Sequence, residues 1–215
     1  MKKGLSSDPD SAEKPIGGRI LGAAFKAFTE KGYAGTSTLE IATRAKVSKR
    51  DLYANFGSKQ AVLVACIKNR TARMQLSPDL PVPQNRAMLA AALKGFGATL
   101  LDEVSHPSVI AMFRLAIAEA TRSPEVAQTL QEAGRDASRQ AMAALLAQAQ
   151  SAGLIGAGDP AAMAIQYLAL LWEDLLVSLL LGRAVPPKSD EIERRAETAT
   201  RAFLRLHPEP AAPAQ

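Results

Sequence analysis

A short polar run near the N-terminus carries side chains suited to nucleic-acid recognition. Lys49, Arg50, Tyr53 and Asn55 fall within seven residues. A guanidinium such as that of Arg50 can pair with both major-groove acceptors of guanine, a contact worth roughly 1–3 kcal/mol of discrimination. Hydroxyl and ammonium groups bind phosphate oxygens, which position a protein without reading sequence. Arg50 is therefore the leading base reader, and four side chains suit phosphate contacts: Tyr53, Thr36, Ser48 and Lys59.

Capping signals place these side chains on two short helices. Ser37 and Glu40 can form a capping box that starts a first helix, and Ser48 with Asp51 starts a second. Residues 46–47 leave only a tight connection between the two. In a helix-turn-helix the second helix lies in the major groove while the first crosses the DNA backbone. The spacing therefore predicts a helix-turn-helix whose second helix presents the polar run.

Apolar residues anchor this helix pair and predict helices on both sides of it. Leu52 and Phe56 are four residues apart, so both can face a core while the polar run stays outside. Apolar residues recur every four positions from Ile16 to Phe28, which predicts a first helix that Gly32 ends. A longer helix is expected from Lys59 to about Arg73.

Positive charge is concentrated in the same segment. Residues 14–59 contain nine lysines and arginines against three acids, whereas residues 60–215 contain fifteen of each sign. The net charge of +5 therefore comes from the N-terminal part of the chain. Such a footprint is expected of a protein that binds a phosphate backbone. A solvated basic face would give the same count, so charge alone does not decide between the two.

The spacing of apolar, glycine and hydroxyl positions agrees with a known family pattern over three helices at once. The matching positions are Arg19-Ile20-Leu21, Ala23-Ala24, Phe28, Glu30, Gly32-Tyr33, Thr36-Ser37, Ile41-Ala42, Ala45, Val47-Ser48, Leu52-Tyr53, Phe56 and Ser58-Lys59. By these residues the segment resembles the DNA-binding domain of the TetR family of bacterial regulators. The resemblance implies a helix-turn-helix over about Ser37–Phe56. It also implies that six residues occupy DNA-contacting positions: Thr36, Ser48, Lys49, Tyr53, Asn55 and Lys59. Ser37, Lys46 and Arg50 complete the predicted DNA-binding set.

Two departures from the family pattern limit what the resemblance carries over. Arg50 stands where many members have a small residue, and Asn55 stands where histidine is common. The docking mode is implied by the resemblance, but an operator sequence is not.

The rest of the chain predicts an all-α fold. Hydrophobic residues make up 47% and aromatic residues only 5%, which favours packed helices over strands. Helices are expected at Asn85–Val104, Ser108–Arg122, Pro124–Ala152, Pro160–Leu181 and Ser189–Leu206. The predicted organisation is a disordered tail (1–14), a helix-turn-helix domain (15–60), a helical effector-binding and dimerisation domain (61–207) and a second tail (208–215).

The C-terminal part is similar to that of AcrR- and AefR-like members of the family. The similarity rests on Phe113–Ala120 followed by Ser123–Ala127. It implies a helical body that holds a small-molecule pocket, with the last two long helices pairing with those of a second subunit. The helix predicted over 160–181 is apolar on most faces, which favours the same homodimer. The next helix, 189–206, adds an apolar stripe: Ile192, Ala196, Ala199, Phe203 and Leu206.

Neither export nor membrane insertion is predicted. Residues 163–181 are strongly lipophilic, but Glu173 and Asp174 lie near their middle, and an acid at the centre of a spanning helix costs about 2.5–3.5 kcal/mol. The N-terminus lacks the apolar run of a signal peptide, and the single cysteine, Cys66, excludes an intrachain disulfide. A cytoplasmic protein is expected.

An effector pocket needs mostly apolar walls with few polar groups. Six side chains of the predicted body fit that description: Met88, Phe96, Met112, Phe113, Tyr167 and Trp172. They predict a small hydrophobic effector, although ordinary core packing is the alternative for each of them. Glu119, Glu173 and Asp174 can meet a cationic ligand, or can serve as caps, ion pairs or solvated acids.

No cofactor or metal is predicted. The only histidines, His106 and His207, lie far apart without a set of ligand-spaced carboxylates. Cys66 has no second cysteine to resolve an oxidised form, so a redox role is disfavoured. The glycine-rich residues 153–158 follow no strand, and Asp159-Pro160 makes them a turn before a helix rather than a phosphate loop.

The sequence thus predicts a non-enzymatic, sequence-specific DNA-binding regulator. Its partners would be palindromic double-stranded DNA, a second copy of the chain and a small hydrophobic effector. Repression, with release by the effector, follows from the resemblance alone. A helical ligand carrier or enzyme is one alternative, for which no nucleophile–base pair is visible. An architectural DNA binder without effector control is the other.

Overall fold

A computed structural model describes residues 15–71 and 82–210, and every regular element in this part of the chain is a helix. The predicted all-α fold class is confirmed. The elements are α1 (Ile16–Lys31), α2 (Thr38–Ala45), α3 (Lys49–Phe56), α4 (Lys59–Thr71), α5 (Arg86–Ser105), α6 (Pro107–Glu119), α7 (Pro124–Leu130), a π-helical segment (Gln131–Asp136), α8 (Ala137–Ser151), α9 (Pro160–Trp172), α10 (Leu175–Leu180) and α11 (Ser189–Leu206). The tail predicted over 1–14 lies outside the described residues.

The chain divides into two compact units, and the first combines two separate stretches. The described residues up to Lys68 pack with Leu115–Thr129. The core of this unit takes fully buried side chains from α1 to α4: Ile20, Phe28, Ile41, Leu52 and Leu63. Residues 115–129 fall within the effector-binding and dimerisation domain predicted over 61–207. In the structure they belong to the unit that contains the helix-turn-helix.

The second unit contains the described residues of Asn69–Arg114 and those from Leu130 onward. Tyr167 of α9 is fully buried in its core, and its hydroxyl donates to the Leu93 carbonyl at 2.6 Å. The ring meets Phe203 edge-on, with centroids 5.6 Å apart. A Cβ at Gly97 of α5 would clash with the Tyr167 hydroxyl oxygen. The close approach of α5 and α9 therefore depends on this glycine.

The single helix predicted over 160–181 is two helices. The backbone at Glu173 has φ 45° and ψ −119°, which ends α9. Glu173 and Asp174 are both exposed, and a Glu173 oxygen lies 3.3 Å from Arg195 Nη1. Two adjacent acids are costly to bury, and the break leaves both of them in solvent. The helix predicted over 124–152 is likewise interrupted by the π-helical segment.

Two arginines, which the sequence analysis did not single out, bind carbonyls at helix ends in the second unit. Arg114 donates to the carbonyls of Leu179 and Leu180 at the end of α10, at 2.8 and 2.9 Å. Arg86 donates to three carbonyls: Leu154, Leu204 and His207. The Leu154 carbonyl lies in the turn after α8, whereas the others lie at the ends of α10 and α11. Carbonyls at a helix end have no partner within their own helix, so each guanidinium stabilises a helix end.

Most of the apolar stripe of α11 is buried against other helices of the same chain. Four of its members are buried in the core of the second unit: Ile192, Ala196, Ala199 and Phe203. Only Leu206 stands out, with 62% of its surface exposed. The stripe therefore covers α5 and α9 of the same chain, because α11 packs against both.

Within the described residues, no helix combines the length and the hydropathy required to cross a bilayer.

Candidate nucleic-acid interface

Side-chain caps fix the start of both helices of the helix-turn-helix. Ser48 Oγ accepts the Asp51 N–H at 3.0 Å, and Asp51 Oδ2 accepts the Ser48 N–H at 3.1 Å, which completes the predicted capping box. Hydrogen bonds from the side chain and backbone of Ser48 lower the pKa of the Asp51 carboxyl. At α2, Ser37 Oγ accepts the Glu40 N–H at 3.1 Å. The reciprocal bond predicted for Glu40 is replaced by ion pairs.

The outer face of α3 presents the predicted polar run. Leu52 is fully buried, so it anchors the helix and turns Lys49 and Arg50 into solvent. Tyr53 is 43% exposed; its hydroxyl lies 3.3 Å from Thr38 Oγ1, and Lys49 Nζ lies 5.7 Å from its ring centroid. Both contacts hold the tyrosine side chain in place and leave part of it exposed to solvent.

Asn55 and Lys46 mark the two ends of the same surface. Asn55 is exposed, and its amide donates to the Asp51 carbonyl at 2.8 Å. Lys46, in the turn between α2 and α3, adopts the left-handed conformation with φ 55° and ψ 46°. Its side chain is exposed, so the tight connection adds a further cation beside α3.

Ion pairs neutralise the charges on one side of this unit and leave those near α3 unpaired. Glu40 binds Lys31 at 2.7 Å and Arg44 at 2.8 Å, while Arg44 also binds Glu30 at 2.6 Å. The hydrogen bond from Lys31 is the largest influence that lowers the pKa of the Glu40 carboxyl. Within the part of the chain that the structure describes, three cations near α3 form no ion pair: Lys46, Lys49 and Arg50.

Thr36 and Lys59, which were predicted to bind phosphates, hold the turn between α1 and α2. Thr36 is 2% exposed, and its Oγ1 lies 3.1 Å from the Ala27 carbonyl oxygen and 2.8 Å from that of Gly32. Lys59 Nζ donates to the carbonyls of Tyr33 and Thr36 at 3.0 and 3.2 Å, and lies 4.3 Å from the Tyr33 ring centroid. The buried position of Thr36 turns its hydroxyl inward.

Glu119 reaches the same turn from the end of α6. Its Oε1 accepts the Ala34 N–H at 3.4 Å. The sequence makes this acid a candidate for a cationic ligand, with a cap, an ion pair or a solvated acid as the alternatives. Nothing in the pattern around it indicated a contact with residues so distant along the chain.

Four of the six candidate pocket residues are in or beside the core of the second unit. Phe96 and Tyr167 belong to that core, and Phe113 and Trp172 pack partly buried against it. Met112 is buried and Met88 is half-buried. A groove of about 580 Å³ lies between α5 and α11, and none of the six lines it. Its lining includes four cations: Arg86, Lys94, Arg201 and Arg205.

The remaining candidate groups have structural partners. His106 Nδ1 lies 2.7 Å from Ser108 Oγ, and His207 Nε2 lies 2.9 Å from Gln166 Oε1. Burial lowers the pKa of His207. Cys66 is buried, with its thiol 3.5 Å from the Leu21 carbonyl oxygen. No set of three histidine, cysteine or acidic side chains that could hold a metal ion occurs among the described residues.

Two family models match the chain over most of its length. Residues 20–66 match the model described as bacterial regulatory proteins, tetR family. Residues 91–207 match the C-terminal domain of AefR-like transcriptional repressors.

Individual relatives agree with the two models. The chain is 26% identical over 200 residues to the uncharacterised HTH-type transcriptional regulator YvkB of Bacillus subtilis, covering 89% of this chain and 97% of the relative. Among solved structures it is similar to the flavonoid-responsive regulator FrrA, with 32% identity, a TM-score of 0.75 and coverage of 92% and 98% of the two chains. A TetR transcriptional regulator from Agrobacterium tumefaciens gives 27% identity, a TM-score of 0.76 and coverage of 91% and 96%.

Proposed function

The chain belongs to the TetR family of bacterial transcriptional regulators, and from that premise we propose that it is a cytoplasmic repressor that leaves its operator when a small hydrophobic effector binds. The observation that carries the proposal is the outer face of α3, where Lys49 and Arg50 stand in solvent beside the buried anchor Leu52. The family consists of regulators rather than enzymes, which removes the enzyme alternative.

The proposed DNA contacts divide into base reading and phosphate binding. Arg50 is the proposed base reader, because it is exposed on α3 and forms no ion pair with a described residue. Phosphate contacts are proposed for Ser37, Lys46, Lys49, Tyr53 and Asn55. The Ser48 hydroxyl donates to Asp51 Oδ2 at 2.7 Å, so the phosphate contact predicted there requires this hydrogen bond to break. Lys59 uses two ammonium hydrogens on carbonyls and keeps a third for a phosphate. The inward-facing hydroxyl of Thr36 supports a role in holding the turn instead.

A homodimer is proposed through the outer faces of the C-terminal helices. With most of the α11 stripe buried in its own chain, the interface must use the apolar side chains that remain exposed. Five of these are at least half exposed on or near α9, α10 and α11: Ile165, Val177, Leu181, Val185 and Leu206. Exposed apolar side chains on consecutive elements support an interface there. Two copies of one helix-turn-helix would then read a palindromic operator.

The proposed effector is a small hydrophobic molecule. The mostly apolar second unit supports this choice, as does the similarity to a regulator described as flavonoid-responsive. Flavonoids are therefore a sensible first panel, with uncharged aliphatic compounds of similar size as a comparison. An effector should lower operator affinity. Failure of every compound to do so would favour an architectural DNA binder.

Selection of duplexes from a random library, followed by fluorescence-anisotropy titration at two salt concentrations, tests the proposal. Arg50→Ala should weaken binding to the selected operator roughly 5- to 150-fold, with a smaller effect on random DNA. Arg135→Ala is a matched control, because Arg135 is an exposed arginine of the π-helical segment, outside α3 and the proposed dimer face, and its loss removes the same charge. If the wild-type chain enriches no sequence, the proposed function is wrong. Equal losses on operator and random DNA would make Arg50 a phosphate contact instead.

A further inference from the structure

The carboxylate of Glu119 is buried in a way that does not favour the stability of the fold. Its side chain is only 8% exposed, and its one hydrogen bond among the described residues is the 3.4 Å contact between Oε1 and the Ala34 N–H. The other oxygen, Oε2, is buried and has no hydrogen-bond partner among the described residues. A buried carboxylate oxygen without a donor lowers stability, and an apolar side chain of similar volume is often more stable in such a place. A role other than stability is therefore indicated.

The carboxylate lies against the turn formed by residues 32–36. Gly32, which ends α1, has φ 79°, and a Cβ at that position would lie 2.8 Å from Glu119 Oε1. The side chain therefore packs on bare backbone, at a position where glycine is favoured both by its conformation and by the lack of space. Ala34 itself is exposed, so its N–H would be open to water if Glu119 were absent.

The turn connects this contact to the DNA-binding surface. It leads directly into Ser37, the N-cap of α2, and its Tyr33 and Thr36 carbonyls hold the Lys59 ammonium. A displaced turn would move both the start of α2 and Lys59. We propose that Glu119 is a positioning residue for operator binding, which holds the 32–36 turn in its DNA-binding geometry at the expense of stability. This inference rests on the proposed function.

Three variants separate positioning from a structural role. Glu119→Leu removes the acceptor together with the unpartnered oxygen. Its thermal midpoint should rise by roughly 2–4 °C, while its operator affinity should fall roughly 3- to 10-fold, the worth of one hydrogen bond. Glu119→Gln keeps an oxygen for Ala34 and should stay within about twofold of the wild-type affinity. Glu125→Gln is the charge control, because Glu125 acts electrostatically on Tyr33 but forms no hydrogen bond with the turn among the described residues.

Amide hydrogen exchange at Ala34, measured without DNA, gives an independent readout. Exchange should accelerate in Glu119→Leu and remain slow in Glu119→Gln. Wild-type affinity in Glu119→Leu would overturn the proposal, as would a loss of affinity matched by a fall in thermal midpoint. If the wild-type chain binds no operator, the proposed function fails and the operator role fails with it. The exchange at Ala34 then reports separately whether Glu119 orders the turn.

Discussion

Alanine substitution at two glycines of α5 gives opposite expected effects on stability. At Gly95 nothing lies within 4 Å of an added Cβ, whereas at Gly97 an added Cβ would clash with the Tyr167 hydroxyl oxygen and lie 3.0 Å from Leu171 Cδ1. Gly95→Ala should stabilise the protein by about 0.5–1 kcal/mol, because alanine is the better helix former. At Gly97 the same gain is outweighed by overpacking, about 1–3 kcal/mol, and by displacement of the tyrosine hydroxyl, about 1–3 kcal/mol. The net loss for Gly97→Ala is about 1–5 kcal/mol.

Urea unfolding at one fixed protein concentration measures both effects, since a dimer's stability depends on concentration. The double variant Gly97→Ala with Tyr167→Phe lacks the clashing oxygen. It should therefore be less destabilised than the sum of the two single changes predicts. The packing described for α5 and α9 is refuted if Gly97→Ala is as stable as Gly95→Ala. It is also refuted if the free-energy changes of Gly97→Ala and Tyr167→Phe simply add in the double variant.

Two further predictions concern pH and assembly. Burial raises the pKa of Tyr167 to about 12 from 10.0, so the unfolded chain loses this proton at lower pH than the folded chain does. The contribution of Tyr167 to the free energy of unfolding is intact below pH 10 and is lost between pH 10 and 12, by about 1.4 kcal/mol per pH unit. Tyr167→Phe should therefore flatten that part of the curve of unfolding free energy against pH. Ile165, 50% exposed on α9, belongs to the proposed dimer face, so Ile165→Glu should shift sedimentation towards monomer. Ile117→Glu, at a 63% exposed position on α6, should leave the assembly unchanged, and equal behaviour of the two variants would count against the interface.

Features set by neighbouring residues were predictable from the sequence. The Ser48–Asp51 capping box and the buried anchor Leu52 depend on contacts within one turn of helix, so the bounds of α3 and its exposed face followed from the pattern. The same holds for Asp159 and Pro160 at the start of α9, where the aspartate caps the first turn.

Features set by distant residues were not predictable in this way. Periodicity shows which face of α11 is apolar but not which chain covers it, so a stripe assigned to a partner proved to be core. A threonine before a helix looks the same whether its hydroxyl faces DNA or the Ala27 carbonyl. The break at Glu173 depends on a backbone conformation that hydropathy does not encode. The Glu119 contact joins residues 85 positions apart in the chain.

The discontinuous first unit also has a consequence for synthesis on the ribosome. Its four N-terminal helices are nearly complete by Lys68, yet the unit also requires residues 115–129. At about 5–20 residues per second, that second stretch follows roughly 3–12 s later. A nascent chain thus carries its recognition helix for seconds before it carries the carboxylate that supports the turn ahead of it. A gene fragment cut near codon 68 would make that unfinished state permanent.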